Sequence, residues 1–515
     1  MHPHLGEIFE QTVLKYPNRE GMVYPQKNQR WTFKEWDEKI NRLANAFLNA
    51  GLKKGDVVST FLYNTSEFAA TCLACIKTGI LFNPINFRLA GEELAFILND
   101  SGSKALIFEE AVIPQVDRAR ERTNINLFLY ADDQGMPSYA QNFYGFMETG
   151  SSQRPAVQLT ENDRYIIMYT SGTTGKPKGV IHRHRDMIEQ NLALISYLRI
   201  TPFDRGLSAA PLNHAAELHC VFLPRIHAGA TSVLIHHFEP KAVLQYMQDE
   251  KITMMFAAPT MWNMLLQEDL SKYDLSGFKK ILYGGAAMAP AMVKRCHEAF
   301  HADLVQAYGM TEMGPAVTIL FPEEQLPKAG SAGKAIFNHE VRVVRPREDG
   351  PSEPDDLVAP GEKGEVIVRG PSVMELYFNR PDATEKALYK GWYHTGDIAA
   401  IDEDGYIWIA DRVDDMIVSG GENIYPREVE DVLYEHPDIL EVAVVGLSDE
   451  KWGKVVTAFV VPKRDGLTAG ELDRYLLDGQ KLAPFKRPRL YKFVEKLPKT
   501  ASGKIQKFML AGSHS

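Results

Sequence analysis

Along the chain, short continuous apolar runs of strand length alternate with longer stretches in which apolar residues return every three or four positions. The clearest series is TMMFAAP from Thr253, KKILYGG from Lys279 and DLVQAYG from Asp303, with helix-like MWNMLLQ and AMVKRCHEAF between them. Strand and helix in strict alternation predict α/β layers around a largely parallel sheet. Each of these runs ends in small or turn-forming residues. Ligands of open α/β sheets collect beyond the carboxyl ends of the strands, so Ala257, Gly284, Gly285, Tyr308 and Gly309 are expected around one crevice.

The texture changes twice further on. PREDGPSEPDDLVAPGEKGE, from Pro346 to Glu365, is rich in Pro, Gly and acidic residues and reads as a surface loop, with the strand GEVIVRG after it. Past Arg412, Pro426 opens a helix carrying Val429, Val432 and Leu433 on one face. The runs EVAVVGL and VVTAFVV follow, and Thr468 with Glu471 forms a capping box ahead of Leu472, Tyr475 and Leu476. The predicted architecture is therefore α/β. A large N-terminal domain of several subdomains, 1–413, has α/β layers and a β-rich section; a small α+β domain, 414–515, follows.

A length of 515 residues agrees with more than one packed unit, and 45% hydrophobic with 24% charged residues is an ordinary globular composition. The net charge of -10 argues against nonspecific binding to nucleic acid or anionic membrane, which needs clustered Lys and Arg. No apolar run reaches the roughly 18 residues of a membrane span. Met1-His2-Pro3-His4 has neither a basic nor an apolar leader segment, and a cytoplasmic location is expected. Four cysteines fit a reducing compartment; Cys72 and Cys75 form a CxxC inside a helical apolar pattern, which predicts packing rather than metal binding.

Chemistry first shows itself in RYIIMYTSGTTGKPKGV, where a buried-strand pattern runs into a loop of glycines, hydroxyls and two lysines. Glycines let backbone N–H groups approach an anion, hydroxyls add neutral donors, and Lys176 and Lys178 add charge. The loop is not a Walker A sequence, because Pro177 follows Gly175-Lys176 where Ser or Thr would be required. Taken alone it is also compatible with a polar hairpin turn.

The string TSGTTGKPKG, Thr170 to Gly179, resembles the phosphate-loop signature of the adenylate-forming superfamily. YGG at Tyr283, QAYGMTE at Gln306, YHTGD at Tyr393, DRVDDMIVSGGENIYPREVE at Asp411 and PKTASGK at Pro498 match the same family in the same order. The resemblance implies ATP-dependent activation of a carboxylic acid to an acyl adenylate. It places the nucleotide on Thr170, Ser171, Gly172, Thr173, Thr174, Gly175, Lys176 and Lys178, and on Gly285, Ala286, Gln306, Tyr308, Gly309, Met310 and Thr311. Tyr308 would stack on adenine, Glu312 would hold Mg²⁺, and Asp397 with Arg412 would hold the ribose. Glu312 and Thr173 would join Lys504 as catalytic residues, with Lys504 meeting the carboxylate and α-phosphate. The small domain would be mobile, and Asp414 takes the family's hinge position.

CoA is the implied acceptor. Gly420 and Gly421 in SGGEN would leave room for its thiol arm, and Trp452, Phe485, Lys486 and Arg487 resemble residues that contact its nucleotide. For Trp452 and Phe485, plain core packing is the alternative. The acid would lie between PLNHAAELH, with His214, Ala215 and Ala216, and the strand ends at Gly284 and Gly309. With no Lys or Arg in those stretches, a medium- or long-chain fatty acid is expected. An aryl acid, loading of a carrier protein, light emission, a nonenzymatic nucleotide binder and a homodimer stay open.

Overall fold

The computed structural model describes residues 3–170, 177–347, 350–412, 417–419, 422–449, 453–477, 482, 484–500 and 503–512. Among these the strands form four sheets. The first has nine strands, in the order Lys334–Ala335, Thr318–Leu320, Asp303–Tyr308, Lys280–Gly284, Met254–Ala257, Arg205–Ser208, Thr231–Leu234, Glu20–Tyr24 and Gln29–Thr32. Its centre is parallel, from Asp303–Tyr308 across to Glu20–Tyr24, with antiparallel strands at both edges. The predicted alternation is present, and it aligns the ends of three neighbouring strands: Ala257 pairs with Tyr283, and Gly284 with Ala307.

A second sheet of eight strands contains Arg164–Thr170 and Lys178–Arg183, the antiparallel arms on either side of the phosphate-loop sequence. Helices pack on both sheets through faces written in their sequence. Phe33–Asn49 starts from a Thr32–Glu35 capping box and buries Trp36, Ile40, Leu43 and Phe47 completely. Ser66–Thr78 is buried all round, which fits a helix in the middle of a large unit. Cys72 and Cys75 lie in it as free thiols, as the helical pattern predicted, and burial raises the ionisation of both far above the ordinary thiol range.

The β-rich section is a third sheet built on Lys363–Arg369 and Trp392–Ile401. The acidic Pro/Gly stretch connects Glu340–Val344 to Lys363–Arg369, as expected of a surface loop. Ile417–Ser419, Glu422–Ile424, Ile439–Asp449, Gly453–Pro462 and Leu490–Phe493 form the fourth sheet. The helix Pro426–Tyr434 buries Val429 and Leu433 against it, and Thr468–Glu471 caps Ala469–Leu477 as read from the sequence. This small unit rests on the large one: Arg427 donates to the carbonyls of Ile409 (2.6 Å) and Gly330 (2.8 Å), and Lys363 pairs with Glu428 at 2.6 Å. No helix among the described residues is long and apolar enough to cross a membrane.

Candidate active site

The three aligned strand ends open into a cavity, as the parallel-sheet rule requires. Phe256, Gly284 and Ala307 come from neighbouring strands; Gly309, Met310 and Pro315 come from the turn after the third. The opposite wall is His214, Ala215, Ala216 and Cys220. Cys220 faces inward because Leu218–Phe222 forms a single π-helical turn after Ala215–Glu217, a local re-aiming common where helices border sites. The cavity is small: the centre of a water molecule can reach about 40 Å³ of it. Among the described residues that line it none is acidic, Lys or Arg.

Glycine is what brings the backbone of this turn so close. A Cβ on Gly309 would lie 1.7 Å from the Pro315 carbonyl oxygen, so no other residue fits without moving the backbone. Gly285 has φ +75° and nothing within 4 Å of a Cβ position, leaving an open cradle beside the strand end.

Glu312 follows in the same turn and is buried, at 7% exposure. Its carboxylate accepts from the Tyr377 hydroxyl at 2.9 Å and the Thr170 hydroxyl at 3.3 Å. Thr170 ends the strand leading into the phosphate-loop sequence, so Glu312 sits at the mouth of that loop. Lys178, on the loop's far side, lies with its ammonium 4.7 Å from the Tyr377 ring centroid. An acceptor-only carboxylate flanked by neutral hydroxyls is a donor set that suits Mg²⁺, which binds through one or two carboxylates and substrate oxygens. Tyr377 has no signature in sequence. It arrives because Leu376–Tyr377 adds an edge strand to Lys178–Arg183.

His182 was likewise not anticipated. Its Nε2–H donates to the Thr311 carbonyl at 2.8 Å, bracing the peptide that precedes Glu312. Burial lowers its proton affinity, so it acts as a neutral donor.

On the other side of the turn, the Tyr308 hydroxyl donates to Asp397 at 2.7 Å, and Asp397 is buried. Asp397 and Arg412 are opposite one another on paired strands. Tyr308 and Asp397 thereby present an aromatic face beside a two-oxygen acceptor, a combination that suits a base and its ribose diol. Gln306 is buried, its side-chain oxygen accepting from Tyr283 at 3.2 Å, while Ala286 is half-buried beside Gly285.

Lys504 reaches the same region from the small unit. The loop that carries it is docked on the large unit, where Gly503 O accepts from the Thr260 hydroxyl at 2.9 Å. His214 is solvent-exposed at the cavity, yet the protein mass around its ring, and then the nearby Lys504 charge, lower its pKa to about 4. His214 therefore carries no proton from about pH 5 upward. In the free protein its imidazole Cε1 chemical shift is expected to stay flat between about pH 5.5 and 8.

Ser171, Gly172, Thr173, Thr174, Gly175 and Lys176 lie outside the described residues, as do Asp414, Gly420, Gly421 and Trp452. Of the expected CoA contacts, Phe485 is exposed on the small unit. Its neighbours are engaged within the protein: Lys486 with Glu428 and Arg487 with Asp473, each at 2.5 Å. Among the described residues no group of three or more His, Cys, Asp or Glu could hold a metal ion.

A large α/β unit with a small α+β unit bearing a lysine over the strand ends is the arrangement of an adenylate-forming enzyme. Two family models match, the AMP-binding enzyme over residues 9–378 and the AMP-binding enzyme C-terminal domain over 428–504. The chain is 34% identical over 513 residues to the long-chain-fatty-acid–CoA ligase FadD13 of Mycobacterium tuberculosis, covering 99% of each. It is 38% identical over 479 residues to a feruloyl-CoA synthase of Amycolatopsis, covering 92% of each. The structure of the anthranilate CoA ligase AuaEII in complex with anthranoyl-AMP superposes with a TM-score of 0.92 at 27% identity, over 100% of this chain and 98% of that one. The chain belongs to the AMP-binding enzyme family, in its acyl-CoA synthetase branch. It is an AMP-forming acid–CoA ligase, working with ATP, Mg²⁺ and CoA.

Proposed function

We propose that the acid this enzyme joins to CoA is compact and uncharged beyond its carboxylate, an aromatic or short-chain acid rather than a long-chain one. The observation that carries this reading is the cavity: the centre of a water molecule reaches only about 40 Å³ of it, small beside the roughly 300–1,000 Å³ of ligand pockets, and its described lining residues include no acidic residue, Lys or Arg. Phe256, at 4% exposure, and Cys220 are among the residues that line it. The feruloyl-CoA synthase and anthranilate ligase likenesses support the same side. FadD13, matched over 99% of its length, favours the second reading, a medium- or long-chain fatty acid.

In the proposed cycle the acid's carboxylate oxygen attacks the α-phosphorus of ATP, a P–O bond forms, and pyrophosphate leaves. Lys178 and the loop amides hold the departing phosphates, Tyr308 and Asp397 hold the nucleoside, and Lys504 balances the negative charge gathering at the reacting centre. Glu312 and the Thr170 hydroxyl would hold Mg²⁺, whose chemistry is to neutralise phosphate oxygens. The CoA thiol, giving up its proton, then attacks the acyl carbon; a C–S bond forms and AMP leaves. Since Lys504 occupies the adenylation side, the small unit turns about Asp414 between the steps, and Gly420 and Gly421 line the thiol's path.

AMP release measured over a panel of acids, with and without CoA, tests the substrate class. Benzoate- and cinnamate-type acids are expected to exceed hexadecanoate by at least about tenfold in kcat/KM, the discrimination a closed apolar pocket supports. A preference for hexadecanoate would instead establish the fatty-acid reading. Phe256→Ala is expected to shift the preference toward longer acids in the same panel.

A further inference from the structure

The loop bearing Lys504 is a preformed unit. Thr500 N–H donates to Lys504 O at 2.8 Å, Gly503 N–H to Thr500 O at 3.0 Å, and Lys504 N–H to the Thr500 hydroxyl at 3.0 Å. Lys499 and Ile505 close its base as an antiparallel bridge. These bonds tie Lys504 to Thr500 and Gly503, the two residues through which this segment meets the large unit.

One short helix of the large unit meets both this segment and the rest of the small unit. Pro259–Leu265 begins directly after Met254–Ala257, the strand that contributes Phe256 to the cavity wall. From its first turn the Thr260 hydroxyl donates to Gly503 O at 2.9 Å. Three residues later on the same face, Asn263 Nδ2 donates to Leu440 O of the small unit at 3.1 Å. The approach at Thr260 is close because residue 503 is glycine: at φ +82°, a Cβ there would come within 2.6 Å of the Thr260 hydroxyl oxygen. Arg88 adds an exposed bond from across the crevice, Nη1 to Thr500 O at 3.0 Å.

We propose that Thr260 is a positioning residue for adenylation alone: its hydroxyl seats the Lys504 loop against the helix that follows the cavity wall. Resting on the assignment of Lys504 to the first half-reaction, this extends it to the surface that selects the pose. A bond to Gly503 exists only while the loop is docked, so it stabilises the adenylating arrangement and is absent when the small unit has moved away for thioester formation.

Thr260→Val, which keeps the shape and removes the donor, is expected to lower kcat for acid-dependent ATP–pyrophosphate exchange about tenfold with KM for acid and ATP little changed. Transfer from a preformed acyl adenylate to CoA should be unaffected, and Thr260→Ser should restore exchange. Asn263→Ala should show the same split, to a smaller degree, and serves as an independent variant should Thr260→Val fold poorly. Equal slowing of both half-reactions, unchanged exchange, or failure of Ser to rescue would overturn the inference. Lys504→Ala run in the same exchange assay separates the two readings. If it retains exchange, the assignment of Lys504 itself falls; if it loses exchange while Thr260→Val keeps it, only the seating role falls.

Discussion

Lys504→Ala is expected to reduce acid-dependent ATP–pyrophosphate exchange by roughly 100- to 1,000-fold, the effect of removing one preorganised charge from a developing anion. Passage of a preformed acyl adenylate to CoA should continue at close to the unaltered rate. The asymmetry follows from geometry. Lys504 sits on a braced loop of the small unit, docked through Thr260 on the large one, with its charge close enough to influence His214 in the cavity wall. The described lining residues of the cavity include no Lys or Arg. Rapid-quench measurement of the two half-reactions separately is the check. Equal loss in both would mean that Lys504 serves the fold or a step common to both.

The second large effect is expected at Gly309. An added Cβ would meet the Pro315 carbonyl oxygen at 1.7 Å, its carbon at 2.6 Å and Ala316 Cα at 3.2 Å, all of them backbone. Side-chain rotation cannot relieve such a clash, so the turn holding Met310 to Glu312 must shift as a whole. Overpacking of this kind costs about 1–3 kcal/mol or more. The turn also carries Glu312 toward Thr170 and is braced by His182 through Thr311. Gly309→Ala is therefore expected to lose adenylation by at least about 100-fold, since misplacement of about 1 Å has effects of that size. Thermal unfolding should report a lowered Tm in the same variant. Gly285→Ala makes the contrast: its Cβ would enter open space, and the cost is about 1–2 kcal/mol of left-handed backbone strain with local intrusion into the site.

The two glycines illustrate how unevenly the site could be read in advance. Both were assigned from their place at strand ends, and the structure brings both to the cavity. Their different physical roles depend on what stands opposite: the Pro315 carbonyl in one case, empty space in the other. His214 and Ala215, expected beside the acid, line the cavity at the strand ends. Phe256 and Cys220, which also line it, were not singled out, because a core aromatic and a helical cysteine carry no mark of facing a cavity. Tyr377 and His182 escaped for a related reason. Each meets this turn through a hydrogen bond to a residue far away in sequence, 65 positions for Tyr377 and 129 for His182.

What the sequence by itself determined is the order of elements and the chemical inventory. Local periodicity set the alternating strands and helices, the capping boxes at Thr32 and Thr468 and the buried helix around Cys72 and Cys75, since these depend on neighbours within a few residues. The ordered motifs from Thr170 to Lys504 then identified the adenylating chemistry. Tertiary structure alone decided the distances. It set the size of the cavity at the strand ends, the meeting of Thr170 with Glu312 and Tyr308 with Asp397, and the contact of Thr260 with Gly503, beside Lys504. Those contacts join segments distant in sequence, and packing between sheets and between the two units, rather than any local preference, brings them together.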